Sequence, residues 1–295
     1  MIYYCCELFI GNIFTGSFTF EKISNNLKLH YLKNFIRHYL TATLIDVLHS
    51  PFVFDLYQTA IKKQKNSSKF NLIENNRAKL LNSQEIVSYY DLGAGSNLLS
   101  TETKKVVKHL AKAHLKPARI AQIIYQIVLK YKYKNVIELG TSLGITASYI
   151  ASAIKENYPF NETNFTTIEG IHDVRNVALK QFEILNLSKF VNSIERNFNE
   201  KLDEVLNNYQ NLDVFFVDGN HTYEATIDYF NKALPLAHND SVFIFDDIYW
   251  SPGMTKAWEE IKQNKNVLQT VDLFFIGLVF FRSEQKSQHF KLRVI

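Results

Sequence analysis

Cysteine is nearly absent from this 295-residue chain, and the two present, Cys5 and Cys6, are adjacent. Neighbouring thiols give neither a disulfide framework nor a spaced thiolate metal site, so a reducing cytoplasm is the expected compartment. Five prolines and ten glycines are too few and too scattered for a linker or a low-complexity tract. No solenoid-length repeat occurs. Long apolar runs are also missing. The start, MIYYCCELFIGNIFTGSFTF, is interrupted by Glu7, Gly11, Asn12, Gly16 and Ser17. It lacks the basic region and small-residue cleavage site of an export signal, and no stable membrane span is expected. A platform of interleaved basic and aromatic residues is wanting too, which argues against nucleic acid as a partner. Residues 1–30 are read as a tail without an assigned role.

What is present suffices for a large core: 46% of residues are apolar and 14% aromatic. The formal net charge of +4 is unevenly spread. Residues 1–130 hold 17 Lys and Arg against 8 Asp and Glu, and the remainder 16 against 21. Residues 31–116 read as a helical cap. A helical pattern over 32–64 breaks at Ser50-Pro51, and a second helix is predicted over 101–115. The latter would set Val106, Val107, Leu110 and Ala111 against Lys104, Lys105, Lys108 and Lys112. The Lys104, Lys108 and Lys112 stripe could meet an anionic acceptor, although a solvated face is the favoured reading. Pro117 suits the first turn of the next helix, which carries Ile120, Ile123, Ile124, Ile127 and Val128.

From residue 135 short β-branched runs alternate with helical patterns. The runs are NVIEL (135–139), FTTIE (165–169), FVNSI (190–194), DVFFVD (213–218) and SVFIFD (241–246), with helices starting near Leu143, Asp173, Asn199, Thr222 and Met254. VLQTVDL and FFIGLVFFRS then predict a terminal antiparallel pair at one edge. The expectation is an α/β fold: a Rossmann-like, doubly wound seven-stranded sheet, mostly parallel, filling residues 117–295 behind the N-terminal helical segment.

Two glycine turns compete for a cofactor, DLGAGSN at 91–97 and ELGTSLG at 138–144. A nucleotide turn needs a buried strand before it, a helix after it and an acid ending the next strand. Only the second meets all three conditions, the acid being Glu169, followed by Gly170. Gly140 would permit the sharp turn and Gly144 close helix packing. Thr141 and Ser142 complete the loop. A dinucleotide fingerprint would place a third glycine where Ile145 stands, and Glu138 would repel a pyrophosphate. A cationic amino-acid cofactor suits that carboxylate better, and S-adenosylmethionine fits where NAD does not.

Together ELGTSLG, IEG, VDGNHTY and FDDIYW resemble the class I S-adenosylmethionine-dependent methyltransferases, in the branch holding catechol-type and macrolide-sugar O-methyltransferases. The resemblance spans roughly residues 117–282. HSPFVF (49–54) and DLGAGS (91–96) are similar to segments that precede this domain in a bacterial group of methyltransferase-like proteins. In the resembling families the acids ending the fourth and fifth strands hold Mg²⁺, which carries over to Asp218, Asp246 and Asp247. The catechol-type pattern has Asp-Asn where this chain has Asp246-Asp247. Independently, three carboxylates converging at the ends of neighbouring strands repel one another unless a cation lies among them, and a hard divalent ion is one answer. His221 lies three residues after Asp218. A histidine at this spacing is the general base of the macrolide-sugar type, and an imidazole beside the site can accept a hydroxyl proton at neutral pH. The plainer reading is that the aspartates cap helices and His221 is a turn residue. Tyr223, Tyr249 and Trp250 could wall a pocket or belong to the core.

The expected activity is therefore methylation of a small-molecule or sugar hydroxyl with a divalent metal assisting. Glu138, Gly140, Thr141, Ser142, Gly144, Glu169 and Gly170 would hold the cofactor, Asp218, Asp246 and Asp247 the metal, with Asp218 and His221 catalytic. A metal-independent methyltransferase and a non-catalytic cofactor-binding protein are the alternatives. The partner expected is a small-molecule acceptor, and a homodimer is allowed. DLGAGSN would be either a loop over the acceptor pocket or a structural turn.

Overall fold

A computed structural model describes residues 25–43, 48–62, 68–90 and 103–293. The DLGAGSN segment and residues 1–24 lie outside the described residues. The centre is an eight-stranded sheet made of β3 (Asn135–Leu139), β4 (Asn164–Glu169), β5 (Asn192–Glu195), β6 (Leu212–Val217), β7 (Ala237–Asp246), β8 (Gln269–Asp272), β9 (Ile276–Phe280) and β10 (Gln288–Lys291), in the order β10-β8-β9-β7-β6-β3-β4-β5. Strands β3 to β7 are mutually parallel, and β9 runs antiparallel to both β7 and β8. The terminal antiparallel pair is thus where the sequence places it. The count of seven is not: β10 adds a strand parallel to β8. Its four residues, QHFK, include a single apolar side chain and two are exposed, so they give no core-strand signal and serve as a short blunted edge.

Alternation along the strands sorts side chains into two cores. Val136, Val214, Phe216, Val242 and Ile244 face one layer, while Ile137, Phe215, Val217, Phe243 and Phe245 face the other. The first layer is covered by α5 (Ala118–Lys130), α6 (Ile145–Asn157) and α7 (His172–Ile184). On the second lie α8 (Phe198–Leu206), α9 (Tyr223–Ala233) and α10 (Pro252–Gln263). Each helix starts close to its predicted position. Ser251 and Thr222 cap α10 and α9 by accepting backbone N–H bonds, as their residue types favour.

The front segment divides between the layers. Helix α1 (Asn25–Thr41) places Tyr31 in the second core, and Thr43 forms an isolated parallel bridge to Leu292 just beyond β10. Helix α2 (Pro51–Leu56), the π-helical turn Tyr57–Ile61 and α3 (Asn71–Asn82) join the first core through Val53, Leu56, Ala60, Ile61, Phe70 and Ile73. The helix predicted over 101–115 is shorter: α4 spans Val107–His114, and Thr103–Val106 is strand β2, paired antiparallel with β1 (Ile86–Tyr89). The lysine stripe misled here, because an exposed Lys104 and a half-buried Lys105 suit an edge strand as well as a helix. The hairpin docks beside β4: Ser88 N donates to Asp173 Oδ2 at 2.8 Å and the Tyr90 hydroxyl to Gly170 O at 2.9 Å.

Candidate active site

The strand order reverses between β3 and β6, and a wound sheet opens a crevice at such a point. Gly140 ends β3 there with φ +101°, and a Cβ on it would lie 1.9 Å from the Asp218 carbonyl oxygen. Glycine is required at this position because two chains cross. Gly144 has φ +81°, and its missing Cβ would meet Ala178 at 2.8 Å, so α6 and α7 touch through it as the sequence implies.

Four of the turn's N–H groups are already engaged. Those of Gly140 and Thr141 donate to Ile168 O at 3.0 and 3.2 Å, that of Gly144 to Thr141 O at 2.9 Å, and that of Ser142 to Glu169 Oε2 at 2.8 Å. Those four donors are therefore not free to cradle a pyrophosphate. Glu169 also accepts from Ile171 N at 3.1 Å, which leaves each carboxylate oxygen one further lone pair for a hydroxyl.

Glu138 is fully buried. Its Oε2 accepts from the Thr167 hydroxyl at 2.6 Å, and Thr167 in turn meets the Thr141 hydroxyl at 2.6 Å. Its Oε1 has no partner. Burial pushes this carboxyl up to about 8; the Asp218 charge adds to the shift, while the Thr167 hydrogen bond opposes it. An orphaned buried carboxylate oxygen costs free energy, and a cation bound beside it would remove that cost.

Across the crevice, Asp218 follows β6 and Asp246 ends β7. Ligand atoms of Asp218, His221 and Asp246 lie within 4.8 Å of one another, a grouping that could hold a metal ion. Asp247 is next in sequence but outside that grouping. Its backbone is left-handed, φ +51°, and its N–H donates to Phe275 O at 2.8 Å. Burial pushes Asp246 and Asp247 up to about 6 each. Neighbouring Asp218 adds to the shift at Asp246, and Asp246 to that at Asp247.

Sequence reasoning missed the cation among these acids. Lys116, 8% exposed, sets its Nζ 2.8 Å from Asp218 Oδ1 and 2.5 Å from Asp246 Oδ2, with the Phe216 ring 5.5 Å away. Burial alone would lower its pKa, but the charges of Asp218, Asp246 and Asp247 raise it, so the ammonium stays charged. The one available signal was its place directly before Pro117, at the entry to the helix that leads into β3. Tyr31 was missed as well. It comes from α1, is buried, and is held neutral first by that burial and then by the nearby Asp247 and Asp246 charges. Of the aromatics singled out from sequence, Trp250 is half-buried with its ring 6.3 Å from Tyr31. Tyr249 is core, donating to Asp272 Oδ2 at 2.5 Å, and Tyr223 donates to Glu260 on the surface.

Residues 137–248 match a family model described as a methyltransferase domain. Among solved structures the chain is similar to the S-adenosylhomocysteine-bound methyltransferase PaMTH1 of Podospora anserina, at 10% identity and TM-score 0.55, covering 82% of this chain and all of that one. It is also similar to an O-methyltransferase of Bacillus cereus in complex with S-adenosylhomocysteine, at 16% identity and TM-score 0.50, covering 80% and 100%. A comparison with curated proteins gave no match. No described helix is long and apolar enough to cross a membrane.

Proposed function

We propose that the chain, whose residues 137–248 match a methyltransferase-domain model, is a class I S-adenosylmethionine-dependent methyltransferase that methylates a hydroxyl of a small molecule or sugar. The observation that carries the cofactor side is the unpartnered, buried Oε1 of Glu138 beside a turn four of whose N–H groups are engaged. Such a site suits an ammonium-bearing cofactor and rejects a phosphate-bearing one. Glu138 would accept from the amino group and Glu169 from the ribose hydroxyls. Gly140, Thr141, Ser142, Gly144 and Gly170 would shape the walls. When bound, the cofactor supplies a methyl group on a positively charged sulfur.

On the acceptor side His221 takes the hydroxyl proton. The oxygen lone pair forms the new O–CH₃ bond while the C–S pair stays on sulfur. A neutral hydroxyl is a poor nucleophile, so base assistance of this kind is worth roughly 10²–10⁴-fold. Asp218 and Asp246 orient Lys116, whose ammonium would stabilise negative charge developing on the acceptor oxygen. A divalent ion on Asp218, His221 and Asp246 is the second reading, favoured by that compact grouping. Asp247 would then be a neighbour of the metal site. As placed, however, the Lys116 ammonium already holds one oxygen of Asp218 and one of Asp246.

Calorimetry with S-adenosylhomocysteine on the full chain tests the cofactor reading: saturable uptake is expected, and its absence from folded protein would end it. His221→Ala should keep that uptake while transfer to a competent hydroxyl acceptor falls roughly 10²-fold or more. Uptake without turnover over a broad acceptor panel would point instead to a non-catalytic binding protein.

A further inference from the structure

Lys116 is built into the site. Arg77 Nη1 donates to the Lys116 carbonyl at 2.6 Å, and Arg77 is itself paired with Glu74, which also accepts from the Tyr149 hydroxyl at 2.7 Å. The following Pro117 restricts the Lys116 backbone to extended conformations. A chain of contacts therefore runs from α6, the helix after the glycine turn, through α3 to this one lysine, and fixes the ammonium between two aspartates. Among the described residues Asp218 and Asp246 are its partners, which leaves one of three N–H donors for an acceptor oxygen.

A divalent ion bound by these carboxylates would face the fixed ammonium, which already holds one oxygen of each. We propose that the Lys116 ammonium takes the place of a divalent ion between Asp218 and Asp246, so that the wild-type chain excludes the ion, and that removing Lys116 creates a metal site from Asp218, Asp246 and His221. This deepens the methyltransferase reading and rests on it for the ammonium's part in catalysis, but the exchange of ammonium for metal is testable without turnover.

The experiment is titration of the full-length wild type, Lys116→Ala and the double variant Lys116→Ala/Asp246→Asn with Mn²⁺, read by calorimetry and by melting temperature. Lys116→Ala should take up one Mn²⁺ per chain at least about tenfold more tightly than wild type and melt higher when it is added. The double variant should lose both effects. Methyl transfer by the wild type should survive chelation. Wild type binding one Mn²⁺ as tightly as Lys116→Ala overturns the proposal, and so does a folded Lys116→Ala that binds none. If Lys116→Ala folds only in Mn²⁺, the proposal stands. If it fails to fold under either condition, Lys116→Gln decides: Mn²⁺ uptake absent from wild type supports the proposal, and no uptake overturns it. S-adenosylhomocysteine calorimetry on the same wild-type sample separates the two readings. Lost cofactor uptake with the expected Mn²⁺ pattern removes the methyltransferase function and leaves the ammonium's role as site cation standing.

Discussion

Glu138 shows what one buried carboxylate costs and what it offers. Its folded-state value of about 8 lies above the ordinary 4.5, so the cofactor-free protein holds this proton more tightly than the unfolded chain does. The associated stability is full below about pH 4.5 and is lost as pH rises through about 8. Glu138→Gln removes that titration. Its melting temperature should gain on wild type as pH is raised toward about 9, a trend that a pH series of melting curves will reveal. A cationic cofactor reverses the shift by favouring the carboxylate. Binding of S-adenosylhomocysteine near pH 7 should then release about one proton, seen as a dependence of the binding heat on the buffer's ionisation enthalpy. A binding heat that is the same in all buffers would dissociate Glu138 from the cofactor's ammonium.

At the scale of elements, α1 reaches a buried polar cluster through His38. His38 Nε2 lies 3.1 Å from Asp272 Oδ1 on β8, and the other oxygen of Asp272 accepts from Tyr249. Burial alone would raise the Asp272 pKa, but these bonds, with Phe274 N, hold it below the ordinary value. That contribution is present at neutral pH and is lost as pH falls through the carboxylate range. His38→Ala should destabilise the protein by about 3 kcal/mol in denaturant titrations, because it leaves a buried carboxylate short of a partner. It should also speed proteolysis within residues 25–43. Because α1 carries Tyr31 to the acids, acceptor KM should rise in this variant more than cofactor affinity falls. Equal loss of both would mean that α1 is only a brace.

For the whole molecule, the helical front and the wound sheet share cores. Val53, Leu56, Ala60, Ile61 and Phe70 bury themselves in the same cluster as Ile120, Ile124 and Tyr149. Residues 117–295 expressed alone would expose that face and lose Lys116. The expected product binds a hydrophobic dye and lacks a cooperative melt. A fragment that melts cooperatively and binds S-adenosylhomocysteine like the full chain would show that the front segment is an accessory.

The amino-acid sequence by itself determined the wound sheet, the glycine turn and the acids at its rim. Each rests on local signals: alternation along NVIEL and SVFIFD, glycines between strand and helix, and carboxylates at strand ends. Only the tertiary structure decided the cation. Lys116 stands 102 residues before Asp218 and 130 before Asp246, and no periodicity links them. Their meeting depends on α3 and Arg77 fixing the chain just ahead of α5. The edge strand β10, the β2 segment and Tyr31 were hidden for the same reason. Their residues carry ordinary polar or aromatic patterns, and what each becomes is set by the neighbour it packs against.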